Sequence, residues 1–375
     1  MRTIDWLDDA ILIVDQTRLP DELRPLRLTS VDDLIEAIQR LAVRGAPALG
    51  VAGAMGVALA ARQGPGPGRD DPDVRPHDDG GPGGGAAFAI EAQIARLRAA
   101  RPTATNLAWG VDRAARYLPQ GPERVLAEAL AIRDEDEAAS RRMGIRGAEL
   151  LRQLLAHGDG RSGDSPASGD RPGRGIRLLT HCNTGALAAV SWGTALGVAR
   201  ALHDAGDLEE VIATETRPLL QGSRLTAWEL QEMGASHRLI VDGAAPFVMA
   251  RGLVDAVIVG ADRICANGDV ANKVGTYALA LGAARAGIPF VVVAPESSID
   301  MATASGDQVE IEERPAEEVT GVRGMRTSPQ GTRALNPAFD LTPRDLVTAI
   351  VTDRRVIRID RGETLAATPL TFALS

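Results

Sequence analysis

From residue 176 onward, short β-branched apolar runs alternate with helical patterns, which predicts an α/β protein built on a doubly wound, mainly parallel sheet. Ahead of it, the apolar spacing up to residue 156 is helical, so residues 1–156 are expected to form a mainly helical N-terminal domain. The tract 157–175 is rich in Gly, Ser, Asp and Arg and reads as a flexible linker or insert, leaving 176–375 as the sheet domain. At 375 residues the chain is long enough for both.

In chain order, the opening from Asp5 to Leu23 is of mixed polarity and yields no element. Ser30 followed by Asp32 and Asp33 marks a helix N-terminus, with Leu34, Ile38 and Leu41 on one face. That helix ends at Arg44-Gly-Ala-Pro47, where Pro47 suits the start of the next. Gly50, Gly53 and Gly56 on the second helix imply that something packs closely against its backbone. Residues 45–61 form a run of 17 uncharged residues, but the run is Gly/Ala-rich and bounded by Arg44 and Arg62. It is read as a tightly packed soluble helix and not as a membrane span. Arg44 beside the N–H groups of a helix start can hold a phosphate; plain helix–helix contact explains the same residues equally well.

Residues 64–85 are mostly Gly, Pro and Asp, a low-complexity insert. Gly64-Pro-Gly-Pro-Gly68 is no dinucleotide fingerprint, since no strand precedes it and proline removes the N–H groups needed. Helical patterns follow at 86–100, 105–118 and about 123–156, with Arg101 at the first junction.

Beyond the linker, Ile176–Thr180 reads as a strand, and His181-Cys-Asn-Thr-Gly185 turns into a helix expected over 186–205. Val211–Thr214 is the second strand, followed by a helix running through Glu232. Arg238–Val241 is the third, ending at Asp242, with a helix near 247–251. Val254–Gly260 and Ile288–Ala294 are the last two, joined by a long loop and a helix from Val274 to Ala286 closed by Gly287. Five buried strands with four intervening helices make a doubly wound sheet. Segments at 308–312, 336–343 and 356–359 are expected to complete it, with room for a mixed edge.

Cys182, Gln221, Asp242, Asp262, Asn272 and Lys273 all follow carboxyl ends of strands, the edge where open α/β sheets bind ligands. Asn272 and Lys273 are placed at a helix start, where free N–H groups favour anions. Cys182 sits at a helix entry, where the dipole can lower a thiol pKa; an inert buried cysteine is the plain alternative, and the preferred one for Cys265. The histidines lack metal-ligand spacing, and Walker, Rossmann-fingerprint and Gly-x-Ser-x-Gly motifs are missing, so no metal or cofactor is expected. A thiol and a carboxyl group among cations and amides suit proton transfer on a phosphorylated, hydroxyl-rich substrate. Aromatic residues at 3% and a net charge of −9 argue against nucleic acid as partner. Two cysteines make no disulfide framework and no secretory signal is recognisable, so a cytoplasmic protein without a membrane partner is expected.

Several of these segments resemble the methylthioribose-1-phosphate isomerase family, the aldose–ketose isomerases of methionine salvage. They are Arg44-Gly-Ala-Pro-Ala-Leu-Gly50, Arg101-Pro-Thr, Thr180-His-Cys-Asn-Thr-Gly185, the run from Thr216 to Leu230, the run from Gly260 to Tyr277, and Asn336-Pro-Ala-Phe-Asp340. The resemblance spans nearly the whole chain apart from the two low-complexity tracts. It implies Asp262 as proton donor and Cys182 as second catalytic group, with substrate contacts from Arg44, Gly45, Ala46, Arg101, Gln221, Asn272 and Lys273. It also implies an α-helical N-terminal domain on a Rossmann-like C-terminal domain, a homodimer, and no cofactor. Gly243 stands where the family has Asn after Asp242, and Cys265 where it has a small apolar residue. Two relatives share the fold: a ribose-1,5-bisphosphate isomerase, which should need a further basic cluster, and the non-catalytic regulatory subunits of the translation-initiation guanine-nucleotide exchange factor, which generally lack the paired Cys and Asp.

Overall fold

The structure, a computed structural model, describes residues 2–63, 84–101, 105–156 and 174–369. The expected insert at 64–85 and the linker at 157–175 lie almost wholly outside the described residues.

The fold is mixed α/β. It opens on a feature that the sequence did not announce, a three-stranded antiparallel sheet of Ile4–Leu7, Ala10–Val14 and Pro25–Leu28. Asp8 and Asp9 turn the first hairpin with φ of 47° and 58°, the left-handed pair that a two-residue hairpin requires. An Asp-Asp pair is a weak hairpin signal, which is why the mixed polarity of this stretch concealed its strands.

The helices then follow expectation closely. Val31–Gln39 is capped by Ser30, whose hydroxyl accepts from Asp33 N while the Asp33 carboxylate accepts from Ser30 N. Leu41 falls outside this helix, with φ of 63°. Ala46–Gln63 is buried along nearly its whole length, and among the described residues no helix is long and apolar enough to cross a membrane. Its glycines are where other chain segments come close: a Cβ on Gly53 would stand 2.8 Å from the Leu107 carbonyl oxygen. Gly84–Arg98, Thr105–Ala115 and Pro122–Ala156 complete the set. The last is shared between two cores. Val125, Ala129 and Ile132 pack with the helices, whereas Met143, Ala148 and Leu151 cover the main sheet.

That sheet has seven strands, in the order Val356–Ile357, Ala349–Val351, Phe290–Val293, Ala256–Val259, Ile176–Thr180, Leu208–Thr214, His237–Ile240. All pairs are parallel except the first, so the tail does supply a mixed edge. Leu196, Leu202 and Leu230 cover one face; Val248, Met249, Leu279 and Ala283 cover the other. Burial on both faces makes the inner strands Phe290–Val293, Ala256–Val259 and Ala349–Val351 continuous apolar runs, whereas His237–Ile240, expected to be buried, is a partly exposed edge strand because nothing pairs beyond it in the sheet.

Two expected elements change. The helix foreseen over 186–205 begins only at Ala195, after a short 3₁₀ turn at Ala186–Ala188. The chain first doubles back so tightly that a Cβ on Gly193 would lie 2.3 Å from the Gly185 carbonyl carbon. The long loop foreseen after Asp262 is instead a hairpin, Arg263–Cys265 with Val270–Lys273, in a second sheet with Ile299–Asp300 and Phe339–Thr342.

Close packing of two backbones gives a testable expectation. A Cβ on Gly110 would fall 1.9 Å from the Gly50 carbonyl oxygen, with backbone on both sides and nothing flexible to yield. Gly110→Ala should therefore cost about 3 kcal/mol in urea denaturation, the upper range for overpacking. Gly243→Ala, where an added Cβ meets nothing within 4 Å, should stay within about 0.5 kcal/mol of the parent. Equal effects at the two positions would refute the packing account.

Candidate active site

Ile176–Thr180 and Ala256–Val259 are neighbours in the sheet, yet the strands that follow them lie on opposite sides, Leu208–Thr214 on one and Phe290–Val293 on the other. The connections thus part company between these two strands, opening a crevice at their carboxyl ends. Cys182 lies just past Thr180, and Asp262 just past Val259. One cleft of about 730 Å³, counted to its open mouth, is lined by Arg44, Gly45, Ala46, Arg101, Cys182, Gln221, Asp262, Asn272 and Lys273. The nine residues expected to be catalytic or to contact substrate therefore meet at a single cavity.

The N-terminal helices deliver the cations. Gly45, at the turn before Ala46–Gln63, has φ of 98°, and a Cβ there would stand 2.4 Å from the Ala188 carbonyl oxygen, so only glycine lets this turn close on the sheet domain. Arg44, buried, donates from Nε to Gln16 Oε1 at 3.0 Å and from Nη1 to the Asn183 carbonyl at 2.8 Å; Nη2 donates to Asn183 Oδ1. Arg101 Nε lies 3.8 Å from Glu312 Oε2, an ion pair too long for a hydrogen bond, and among the described residues no hydrogen bond satisfies it. Gln221 Oε1 and Thr184 Oγ1, also of residues on the cleft wall, are likewise buried with no hydrogen bond among the described residues. Unsatisfied buried polar atoms are costly, so a cluster of them at one cleft points to a polar ligand.

Asn272 and Lys273 reach the cleft from a strand and not from a helix start, which corrects the sequence reading. Their strand, Val270–Lys273, is clamped antiparallel on both sides. Asn272 Nδ2 donates to Thr276 Oγ1 at 3.0 Å, and that hydroxyl donates to the Lys273 carbonyl at 2.6 Å. The N-terminus of the following helix Thr276–Ala286 is not an open anion site either. Gly275 N and Tyr277 N both donate to the Asp340 carboxylate, at 2.7 and 3.2 Å.

Electrostatically the cleft is crowded. Burial pushes the Asp262 carboxyl above the usual range, against the pull of Arg101, Arg44 and Lys273. Burial also pushes the Cys182 thiol up, with Arg44 and Lys273 pulling it down. This reverses the expectation of a dipole-lowered thiol: no helix starts at Cys182, and desolvation is the larger effect. Lys273 is lowered, again chiefly by burial. Cys182 itself has φ of 61°, held by Thr216 Oγ1 accepting from its N–H at 2.9 Å and Thr226 Oγ1 donating to its carbonyl at 2.6 Å. A non-glycine residue kept in that region marks a site whose surroundings over-determine it.

Other residues resolve more simply. Asp242 does not line the cleft; its carboxylate accepts from Thr216 N at 2.6 Å and Arg217 N at 2.7 Å, fixing the loop that leads to Gln221. Gly243 is exposed with open space around it, so that departure from the family lies away from the cavity wall. Cys265 is buried in its strand, its thiol pushed up to about 11 mainly by burial, and it does not line the cleft. His181 is buried beneath the floor with Nδ1 on Thr214 Oγ1 at 2.6 Å and Nε2 on the Val274 carbonyl at 2.8 Å; burial lowers it to about 4, so it is neutral at physiological pH. Among the described residues no group of His, Cys, Asp or Glu stands together as a metal site.

Sequence reasoning missed Gln16, Asn183, Glu229 and Arg314. Arg314 lines the cleft but is held by Glu318 and Glu312, at 2.6 and 2.9 Å. Asn183 also lines the cleft, while Gln16 and Glu229 stand behind it and Arg44, and no local spacing announces the three because each acts across more than twenty residues of chain.

A polar, cation-lined cleft at the parting of strands in a mainly parallel sheet defines a small-molecule site of the α/β kind. The chain belongs to the initiation factor 2 subunit family, whose model matches residues 42–358. It is 50% identical over 377 residues to a Nocardia farcinica (strain IFM 10152) protein named "Probable bifunctional methylthioribose-1-phosphate isomerase/methylthioribulose-1-phosphate dehydratase", covering 98% of this chain but spanning only 63% of that relative's length. It is 49% identical over 361 residues to the methylthioribose-1-phosphate isomerase of Xanthomonas euvesicatoria pv. vesicatoria (strain 85-10), covering 95% of this chain and 92% of the relative. Among solved structures, 5-methylthioribose 1-phosphate isomerase from Pyrococcus horikoshii OT3 matches with a TM-score of 0.79 at 40% identity, over 95% of this chain and 92% of that one. A chain described as the delta subunit of translation initiation factor eIF-2B from A. fulgidus matches with a TM-score of 0.75 at 41% identity, over 96% of each.

A thiol held protonated by burial should react slowly. At pH 7.5, iodoacetamide should alkylate Cys182 at least about tenfold more slowly than free cysteine, because the thiolate is the nucleophile. The rate should climb only as pH rises past the ordinary thiol range. Mass-spectrometric labelling that finds Cys182 faster than free cysteine at neutral pH would contradict the electrostatic account.

Proposed function

We propose that the chain is an aldose–ketose isomerase that converts 5-methylthio-α-D-ribose 1-phosphate to 5-methylthio-D-ribulose 1-phosphate, without a cofactor, in methionine salvage. The observation that carries the reading is the meeting of Cys182 and Asp262, from two different sheet strands, with Arg44, Arg101 and Lys273 in one cleft. The relatives at 49–50% identity carry the corresponding name.

The chemistry follows from the groups present. The substrate's anomeric oxygen bears the phosphate, so its ring cannot open as that of a free aldose does. Asp262, whose carboxyl burial pushes above the usual range, gives its proton to the ring oxygen as the C1–O bond breaks. One hydrogen then moves from C2 to C1, as a proton through an enol-type intermediate assisted by Cys182, or directly as a hydride. Either route conserves atoms and oxidation level overall. A base role for Cys182 depends on Arg44 and Lys273, whose charges draw the thiol pKa down against burial. In this reading Arg44, Gly45, Ala46, Arg101, Gln221, Asn272 and Lys273 hold the sugar phosphate, and Arg101 Nε and Gln221 Oε1 are buried atoms left without a hydrogen bond among the described residues.

The same reading divides the chain into a helical N-terminal domain (1–156) and a Rossmann-like catalytic domain (176–375), in a cytoplasmic homodimer. Exposed Leu239, Val241 and Phe247 at the open edge of the sheet suit such a contact. A bisphosphate substrate is less well served, because Arg314, the further cation on the wall, is already paired with Glu318 and Glu312. A purely regulatory role would give no reason for the pairing of Cys182 and Asp262 in one cleft.

Purified protein should turn over methylthioribose 1-phosphate, and not ribose 1,5-bisphosphate, with no metal or nucleotide added. Asp262→Asn and Cys182→Ser should each lower kcat by at least about a hundredfold, the usual scale for a general acid–base group. Activity on neither substrate would shift the assignment to the regulatory class, and near-normal rates in either variant would remove that residue from the mechanism.

A further inference from the structure

The geometry points to Glu229 as the positioning residue that sets the orientation of Arg44 in the cleft, acting through the side chain of Asn183. Glu229 is not on the cleft wall; it meets the wall through Asn183, which lines the cleft beside Arg44. Its carboxylate accepts from Asn183 Nδ2 at 2.8 Å, Ala186 N at 2.6 Å and Leu187 N at 3.2 Å. The backbone is wrapped onto it so closely that a Cβ on Gly185 would stand 2.2 Å from its Oε2.

An ionised carboxylate only accepts hydrogen bonds, whereas an amide side chain has one accepting and one donating end. Glu229 therefore fixes which way round Asn183 stands: Nδ2 toward the carboxylate and Oδ1 toward Arg44. The carbonyl of Asn183 and its Oδ1 then take one N–H from each Nη of Arg44, while Gln16 Oε1 takes Nε. Gln16 closes the ring, since its Nε2 donates to the Leu187 carbonyl at 2.7 Å, on the residue whose N–H is held by Glu229. With three N–H groups of the guanidinium tied back, the remaining Nη donors are left for the cleft. A buried guanidinium held this way has little freedom to reorient, and that is what recognition of a phosphate by fork geometry needs. Burial pushes the Glu229 carboxyl up, and the Asn183 amide, the two N–H donors and Arg44 pull it back.

This inference rests on the reading of the cleft as a sugar-phosphate site, and the test separates the two. In Glu229→Gln the amide can turn a donor toward Asn183, which removes the rule that holds Asn183 in place. The expected result is a KM for methylthioribose 1-phosphate raised at least about tenfold with kcat changed less than about threefold, the split expected for lost uniform binding. Inorganic phosphate, titrated by calorimetry into the full-length protein, should weaken in parallel; this readout does not need turnover, so it stands even if the substrate assignment fails. The double variant Glu229→Gln/Asn183→Asp moves the carboxylate to position 183, where it can accept both from Arg44 and from the new amide at position 229. It should recover most of the loss in KM and phosphate affinity. A folded Glu229→Gln protein with KM and phosphate affinity within about threefold of the parent would overturn the proposal. If Glu229→Gln does not fold, the double variant decides: folding with phosphate affinity restored supports the proposal, and folding with affinity still lost, or no folding, overturns it.

Discussion

Arg44, Cys182, Asp262 and Lys273 share one cleft, the two cations buried and the thiol and carboxyl half-buried, and most of the surrounding structure is arranged to make that tolerable. An isolated buried charge is expensive, so each must be paired, tied down or held neutral. Asp262 and Cys182 are pushed toward their neutral forms by burial, and the cations beside them limit how far. Arg44, which cannot give up its proton, is surrounded by the oxygens of Gln16 and Asn183. The same low dielectric that imposes these costs makes each remaining field strong at the moment of reaction.

Delivery of Arg44 to this cleft explains much of the helical part of the chain. Its position depends on a tight glycine turn at Gly45, on a helix, Ala46–Gln63, buried on every side, and on glycines that let Thr105–Ala115 approach that helix backbone to backbone. The long helix Pro122–Ala156 then joins the helical core to the main sheet, so Arg44 is held relative to Cys182 by packing over a large area. A site assembled from two cores needs both to be rigid, since a misplacement near one ångström is costly to orientation. Small residues where backbones meet are the means.

Much of this was legible beforehand, and the reasons are local. The capping box at Ser30 and Asp33, the proline at the start of the second helix and the β-branched runs at 176–180, 211–214 and 256–259 each declare an element through chemistry contained within a few residues. The alternation of those runs with helices set the sheet class, and the rule that ligands sit at carboxyl ends of parallel strands collected Cys182, Gln221, Asp262, Asn272 and Lys273 at one edge from the chain alone. What failed was local too. The Asp8-Asp9 hairpin uses an unusual residue pair, and the stretch before Ala195 looks helical by composition, yet the chain doubles back so closely on Gly185 that only glycine fits at 193.

The sequence by itself determined which elements form and which edge of the sheet carries reactive groups, because propensity, capping and apolar period are properties of neighbouring residues. Only the tertiary structure decided the ionisation of those groups, the strand setting of Lys273, and the ring of Gln16, Asn183 and Glu229 behind Arg44. Burial and the fields of distant charges depend on what the folded chain brings into contact, and residues far apart in sequence carry no local mark of meeting. Cys182 shows the division: its place above the sheet could be read from the chain, but whether its thiol is raised or lowered was settled by the walls that close around it.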